Sequence, residues 1–68
     1  MKLYFRNSRG EERVIAEPVD DKECSVEIQK FLDEHNFKSY YTRTWTEPDG
    51  SKWYDVGSWS EFFIARCD

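Results

Sequence analysis

The side chains of this chain that could carry a reaction are few: His35, Cys24, Cys67 and the run Asp55-Val56-Gly57-Ser58. His35 is the only histidine. A general-base role beside Asp33 or Glu34 would need a nucleophile or a metal partner, and the local sequence supplies neither. Near the carboxyl end of a helix, an imidazole is explained by the helix dipole alone. Cys24 lies where the first turn of a helix would lower a thiol pKa, but it also lies on an apolar stripe, and a small core residue is the better reading. Two cysteines and one histidine, widely spaced, form no zinc signature. Ser58 has no base in its local motif, so Asp55 reads as a structural acceptor for Arg43 and the following turn. Gly57-Ser58 lacks the glycine spacing and the lysine of a phosphate loop. The expectation is therefore a protein that is not an enzyme, with no metal and no cofactor.

A second constellation suits binding. Tyr41, Arg43, Trp45, Trp53 and Asp55 flank the turn Glu47-Pro48-Asp49-Gly50. Pro48 pre-sets the first central turn position, and Gly50 accepts the left-handed conformation of a bulge. A type I turn sets Glu47 opposite Ser51, Trp45 opposite Trp53 and Arg43 opposite Asp55 on one face. Tyr54 and Val56 then meet Thr44 and Thr42 on the other. Trp, Tyr and Arg are the residues enriched at the centres of protein interfaces. The same mixture could stack single-stranded bases, with Arg43 and Lys52 nearby.

The elements that position these residues follow from periodicity. Met1 to Arg6 alternates as a strand, Asn7-Ser8-Arg9-Gly10 is a turn, and Glu11 to Glu17 returns. In the same register Phe5 meets Arg13, Tyr4 meets Val14 and Leu3 meets Ile15, and Arg13 can lay its stem along Phe5. Pro18 ends the pairing. Asp20 caps a helix in which Cys24, Ile28, Phe31, Leu32 and His35 share one face, and Asn36 closes it with Phe37 folding back. Glu61 to Cys67 is a last strand, with Phe62, Ile64 and Arg66 on one side and Phe63 and Ala65 on the other. The fold class is α+β, in the order β-β-α-β-β-β: an antiparallel sheet with one amphipathic helix packed on one face. Residues 1-68 make a single domain. The less charged side of the central hairpin suits the helix, which assigns Tyr54 and Val56 to the core and the Trp45–Trp53 strip to the open face.

Composition narrows the function classes. A net charge of −4 disfavours nonspecific nucleic-acid binding and anionic membrane surfaces. No apolar run approaches a spanning helix and no signal peptide is visible, so the expected location is cytoplasmic. Two cysteines in so short a chain do not make a disulfide framework, so both are expected as free thiols. Twelve aromatic residues are more than one small core encloses, which points to a partner or to self-association.

Tyr40-Tyr41-Thr42-Arg43-Thr44-Trp45, with Trp53-Tyr54-Asp55-Val56-Gly57-Ser58 and Glu61-Phe62-Phe63, resembles small uncharacterised proteins encoded by phages and prophages of Gram-positive bacteria. Leu3-Tyr4-Phe5-Arg6-Asn7-Ser8 and Lys30-Phe31-Leu32-Asp33-Glu34 are similar to them too, so the resemblance covers most of the chain. Those proteins carry a histidine after Gly-Ser where this chain has Trp59. The resemblance implies a setting, the host cell cytoplasm, and no reaction. The combined expectation is a phage accessory protein that binds a host or phage protein through its aromatic face. Single-stranded nucleic acid is the alternative ligand, and self-association through the open face or an edge strand is a third class.

Overall fold

The computed structural model describes residues 1–36, 43–57 and 60–67. Five strands and one helix follow in the expected order: β1 (Lys2–Arg6), β2 (Glu12–Ala16), α1 (Asp21–Glu34), β3 (Arg43–Thr46), β4 (Lys52–Asp55) and β5 (Phe62–Arg66). The strands form a single sheet in the order β2-β1-β5-β4-β3, and the pairings are antiparallel. The chain is thus an α+β domain. The two hairpins lie at opposite ends of the sheet, and β5, the last strand, joins them in the middle.

Both hairpins close the same way. The Asn7 N–H donates to the Glu11 carbonyl at 2.9 Å and the Gly10 N–H to the Asn7 carbonyl at 3.0 Å. The equivalent bonds, Glu47 to Ser51 and Gly50 to Glu47, are 2.8 and 2.9 Å. Gly10 and Gly50 have φ of 83° and 90°, the left-handed residue that a type I turn with a bulge needs. In each turn a carboxylate or amide oxygen takes the spare amides. Asn7 Oδ1 accepts from the Arg9 and Glu11 N–H groups, and Asp49 Oδ1 from the Ser51 N–H.

One pairing departs from expectation. Tyr4 faces Val14 and Phe5 faces Arg13, but Leu3 faces Ala16 rather than Ile15. Ile15 is the extra residue of a bulge in β2, so that Ala16 as well as Ile15 packs on the core, opposite Leu3. Arg13 stands opposite Phe5 as expected, and its guanidinium reaches on to the helix, 5.8 Å from the centre of the Phe31 ring.

Helix α1 starts where Asp20 Oδ1 accepts from the Glu23 N–H at 2.9 Å. It ends at Asn36, whose φ of 52° is the left-handed closure anticipated for it. Cys24, Ile28 and Leu32 are buried against Leu3, Tyr54, Val56, Phe63 and Ala65, with Phe31 and Phe5 packed at the margin. His35 leaves this stripe: it is exposed, and its ring stacks on Phe31 at 4.1 Å. The segment Asp20 to Glu34 carries six carboxylates against Lys22 and Lys30. It therefore accounts for the whole net charge of −4, and the remainder of the chain balances. No helix among the described residues is long and apolar enough to cross a membrane.

Ile64 is fully buried, yet it sits on the sheet face away from the helix, paired with Tyr4 and Trp53. That position makes the open face a packed layer in its own right. Ile64→Val should therefore cost about 0.5–1.5 kcal/mol, as much as Ile28→Val under the helix. Urea denaturation of the two variants checks it, and a neutral Ile64→Val would mean that this layer is not packed.

Candidate functional site

The register of β3 against β4 is the expected one: Arg43↔Asp55, Thr44↔Tyr54, Trp45↔Trp53 and Thr46↔Lys52. Tyr54 and Val56 are buried under the helix, and the Trp45–Trp53 strip occupies the open face. The two indoles stack with centroids 6.0 Å apart and planes 23° from parallel. Phe62 from β5 stands at a steep angle to both, at 6.1 Å from Trp45 and 5.6 Å from Trp53. All three rings are half-buried. Of the five binding residues expected from sequence, Arg43, Trp45, Trp53 and Asp55 form this strip together. Tyr41 lies outside the described residues, as do Tyr40, Thr42, Phe37, Ser58 and Trp59.

The indole N–H groups of the strip are both bonded within this hairpin. Trp45 Nε1–H donates to Glu47 Oε1 at 2.9 Å and Trp53 Nε1–H to Ser51 Oγ at 3.1 Å. The Ser51 hydroxyl in turn donates to Asp49 Oδ1 at 2.6 Å. Together with the Ser51 amide, it holds the Asp49 carboxyl below its ordinary range. Asp55 accepts from Arg43 Nη2 at 3.2 Å and from the Gly57 N–H at 2.9 Å, the structural role read for it from sequence. Its side chain is 8% exposed while that of Arg43 is 67% exposed. Such a pair fixes register more than it stabilises.

Arginines cover the rings. Arg43 lies over Trp45 at 5.5 Å, Arg6 over Trp53 at 5.7 Å and Arg66 over Tyr4 at 4.9 Å. Glu12 bridges two of them, at 3.1 Å from Arg6 Nη1 and 2.7 Å from Arg66 Nη1. The Arg66 hydrogen bond first, opposed by burial and aided by the charge of Arg66 and the Arg6 contact, holds the Glu12 carboxyl below its ordinary value of 4.5. Sequence reading missed Tyr4, Arg6, Glu12, Phe62, Ile64 and Arg66 as members of this face. The alternation of each strand was visible, but nothing in it revealed that β1 lies beside β5.

The remaining reactive groups do not converge. Cys24 is fully buried in the first turn of α1, with its thiol 3.5 Å from Met1 Sδ. Burial pushes its pKa up, the opposite direction to that expected of a helix start. Tyr54 is raised as well, by burial first and then by Cys24. His35 Nδ1 is 2.9 Å from the Phe31 carbonyl oxygen, at the other end of the helix. Eleven residues of helix separate it from Cys24, roughly 16 Å. Asp55 is on the opposite sheet face from both. Both cysteines are free thiols, and Cys67 is exposed. Among the described residues, no cluster of three or more His, Cys, Asp or Glu could hold a metal ion.

An α+β domain with an aromatic and arginine-capped sheet face is what fold and site define. No protein-family model, no curated protein and no solved structure matches the chain.

Two measurements follow from this chemistry. Ellman titration of the native protein should detect one thiol promptly, Cys67, and a second only on denaturation; two fast thiols would contradict the enclosure of Cys24. The second concerns pH. A carboxyl whose pKa is lowered by folding contributes stability above its unfolded pKa and loses it as the pH falls through the folded one. Wild type should therefore lose stability on acidification below about 4.5 more steeply than Glu12→Gln. Thermal melts across the acid range compare them, and parallel curves would mean that the clamp contributes nothing.

Proposed function

We propose that this chain is a protein-binding module that docks a partner on its open sheet face, with the Trp45–Trp53–Phe62 strip at the centre. The observation that carries this reading is the half-buried indole pair whose N–H groups are already bonded to Glu47 and Ser51. A partner covering these rings gains apolar contact without stranding a buried donor, which is the usual cost of desolvating tryptophan. Arg43, largely exposed beside Trp45, supplies a cation at the rim for an acidic group on the partner. The resemblance to phage-encoded proteins supports a cytoplasmic setting and a host or phage protein as the partner.

Single-stranded nucleic acid is the less favoured ligand. The arginines over the rings each face a carboxylate, Arg6 and Arg66 at Glu12 and Arg43 at Asp55, which leaves little positive field for a phosphate backbone. A catalytic role is disfavoured by the separation of Cys24, His35 and Asp55.

Affinity capture from host lysate separates these readings. Partners held by wild type should be lost from a folded Trp45→Ala/Trp53→Ala chain and kept by Lys30→Ala on the exposed side of the helix. Loss of a central tryptophan anchor should weaken binding by at least about thirtyfold, on the order of 2 kcal/mol. If the folded double variant retains the same partners, the strip is not the interface. Salt-sensitive quenching of tryptophan by oligonucleotides would favour nucleic acid instead.

A further inference from the structure

The two edges of the sheet are built differently. The β2 edge is interrupted by the bulge at Ile15 and begins with Glu11, Glu12 and Arg13, devices that discourage pairing with another strand. The β3 edge has no bulge, and its one charged residue, Arg43, stands at its start. Arg43 to Thr46 pairs with β4 without a register shift, and β3 has no second neighbour among the described strands.

The phase of its hydrogen bonds is set by the turn. The Glu47 N–H bonds the Ser51 carbonyl, so alternate residues, Trp45 and Arg43, also direct their backbone groups at β4. The N–H and C=O groups of Thr44 and Thr46 point the other way, along the edge that no described strand covers. A symmetric antiparallel partner must therefore centre on Thr44, Trp45 or Thr46. Centring on Thr46 sets Thr44 against Pro48, which has no amide to donate. Centring on Thr44 sets Arg43 against Trp45 and leaves Glu47 unmatched by any β3 residue. Centring on Trp45 pairs Thr44 with Thr46 of the second copy, and Arg43 with its Glu47.

We propose that a second copy of this chain pairs along β3, antiparallel and centred on Trp45, to form one continuous sheet across a two-fold axis. Charge complementarity selects this register, because each Arg43 faces a Glu47 at the two ends of the pairing. Arg43 is 67% exposed with donors beyond the one given to Asp55, so it can reach both carboxylates. Trp45 meets its own symmetry mate in a closely spaced pair, where aromatic side chains stabilise antiparallel strands. The two-fold axis runs perpendicular to the sheet, so both open faces stay on the same side. The indoles then line up as Trp53, Trp45, Trp45 and Trp53, and the aromatic strip doubles in length. A four-residue edge buries little area, so the dimer is weak and reversible. The inference stands apart from the docking reading, since it uses the strand edge and leaves the face open.

Sedimentation velocity at up to roughly 1 mM tests it. Wild type should sediment as a concentration-dependent monomer–dimer mixture. Thr44→Pro removes an outward amide and leaves the face intact, and it should be monomeric while folded by circular dichroism. Glu47→Lys and Arg43→Glu should each raise the dimer Kd by about tenfold or more, since each sets like charges opposite one another. An equimolar mixture of those two variants should recover dimer, because both mixed contacts then pair opposite charges. A wild type monomeric throughout the range overturns the proposal. So does a folded Thr44→Pro that dimerises as well as wild type, or a mixture of the two folded charge variants that stays monomeric.

Discussion

The hydrogen bond from the Glu47 N–H to the Ser51 carbonyl, 2.8 Å long, sets which atoms of this molecule face water. It closes a turn that Gly50 alone makes comfortable, and every pairing of β3 with β4 counts outward from it. Side chains in a strand alternate with a period of two, so a slip of one residue would exchange the faces. Trp45 would then turn to the helix side, and Thr44 would take its place against Trp53. The turn itself contributes to holding the answer: Ser51 and Glu47 accept the two indole N–H groups, so the residues that define the register also anchor the rings it places.

A five-stranded sheet has two faces, and one helix of 14 residues covers only one of them. The other face is closed by flat side chains laid on rings. Arg6 covers Trp53, Arg66 covers Tyr4, and Glu12 on the edge strand ties the guanidiniums of the next two strands together. Beneath this layer Ile64 is as dry as Leu3 on the helix side. An arginine on an aromatic face keeps its charged edge hydrated while its plane excludes water from the ring. A short chain can thereby gain a second packed layer without a second helix.

Local chemistry made much of the fold legible. Pro48-Asp49-Gly50 and Asn7 to Gly10 announced both hairpins, Asp20 and Asn36 bounded the helix, and the alternation of Phe62 to Arg66 marked the last strand. The pairing of Trp45 with Trp53 followed from turn geometry, and so did the assignment of Tyr54 to the core. What stayed hidden was nonlocal. Whether β5 runs beside β1, β3 or β4 is decided by which arrangement buries Phe63 and Ala65 on one side and Ile64 on the other. No single strand carries that information. The Glu12–Arg66 contact, 54 residues apart in sequence, follows from it. The bulge at Ile15 was hidden for a related reason: it brings Ala16 onto the core beside Ile15 and opposite Leu3, and the room for it is left by other elements, not by β2 itself.

The uneven placement of charge gives the molecule an orientation. The helix with its cap Asp20 bears a charge of −4, while the five strands carry six cations against the two carboxylates of Glu12 and Asp55 and show Arg43, Arg6 and Arg66 on the open face. A body with such separation behaves in solution as a large dipole, and an approaching acidic surface is repelled more strongly by the helix side than by the sheet. Within a Debye length, about 8 Å at physiological salt, the torque acts before any contact is made. The chain would then meet an acidic partner with its rings forward and its helix trailing. Toward an acidic partner of the kind proposed, the helix would be a rudder as well as a cover for the core.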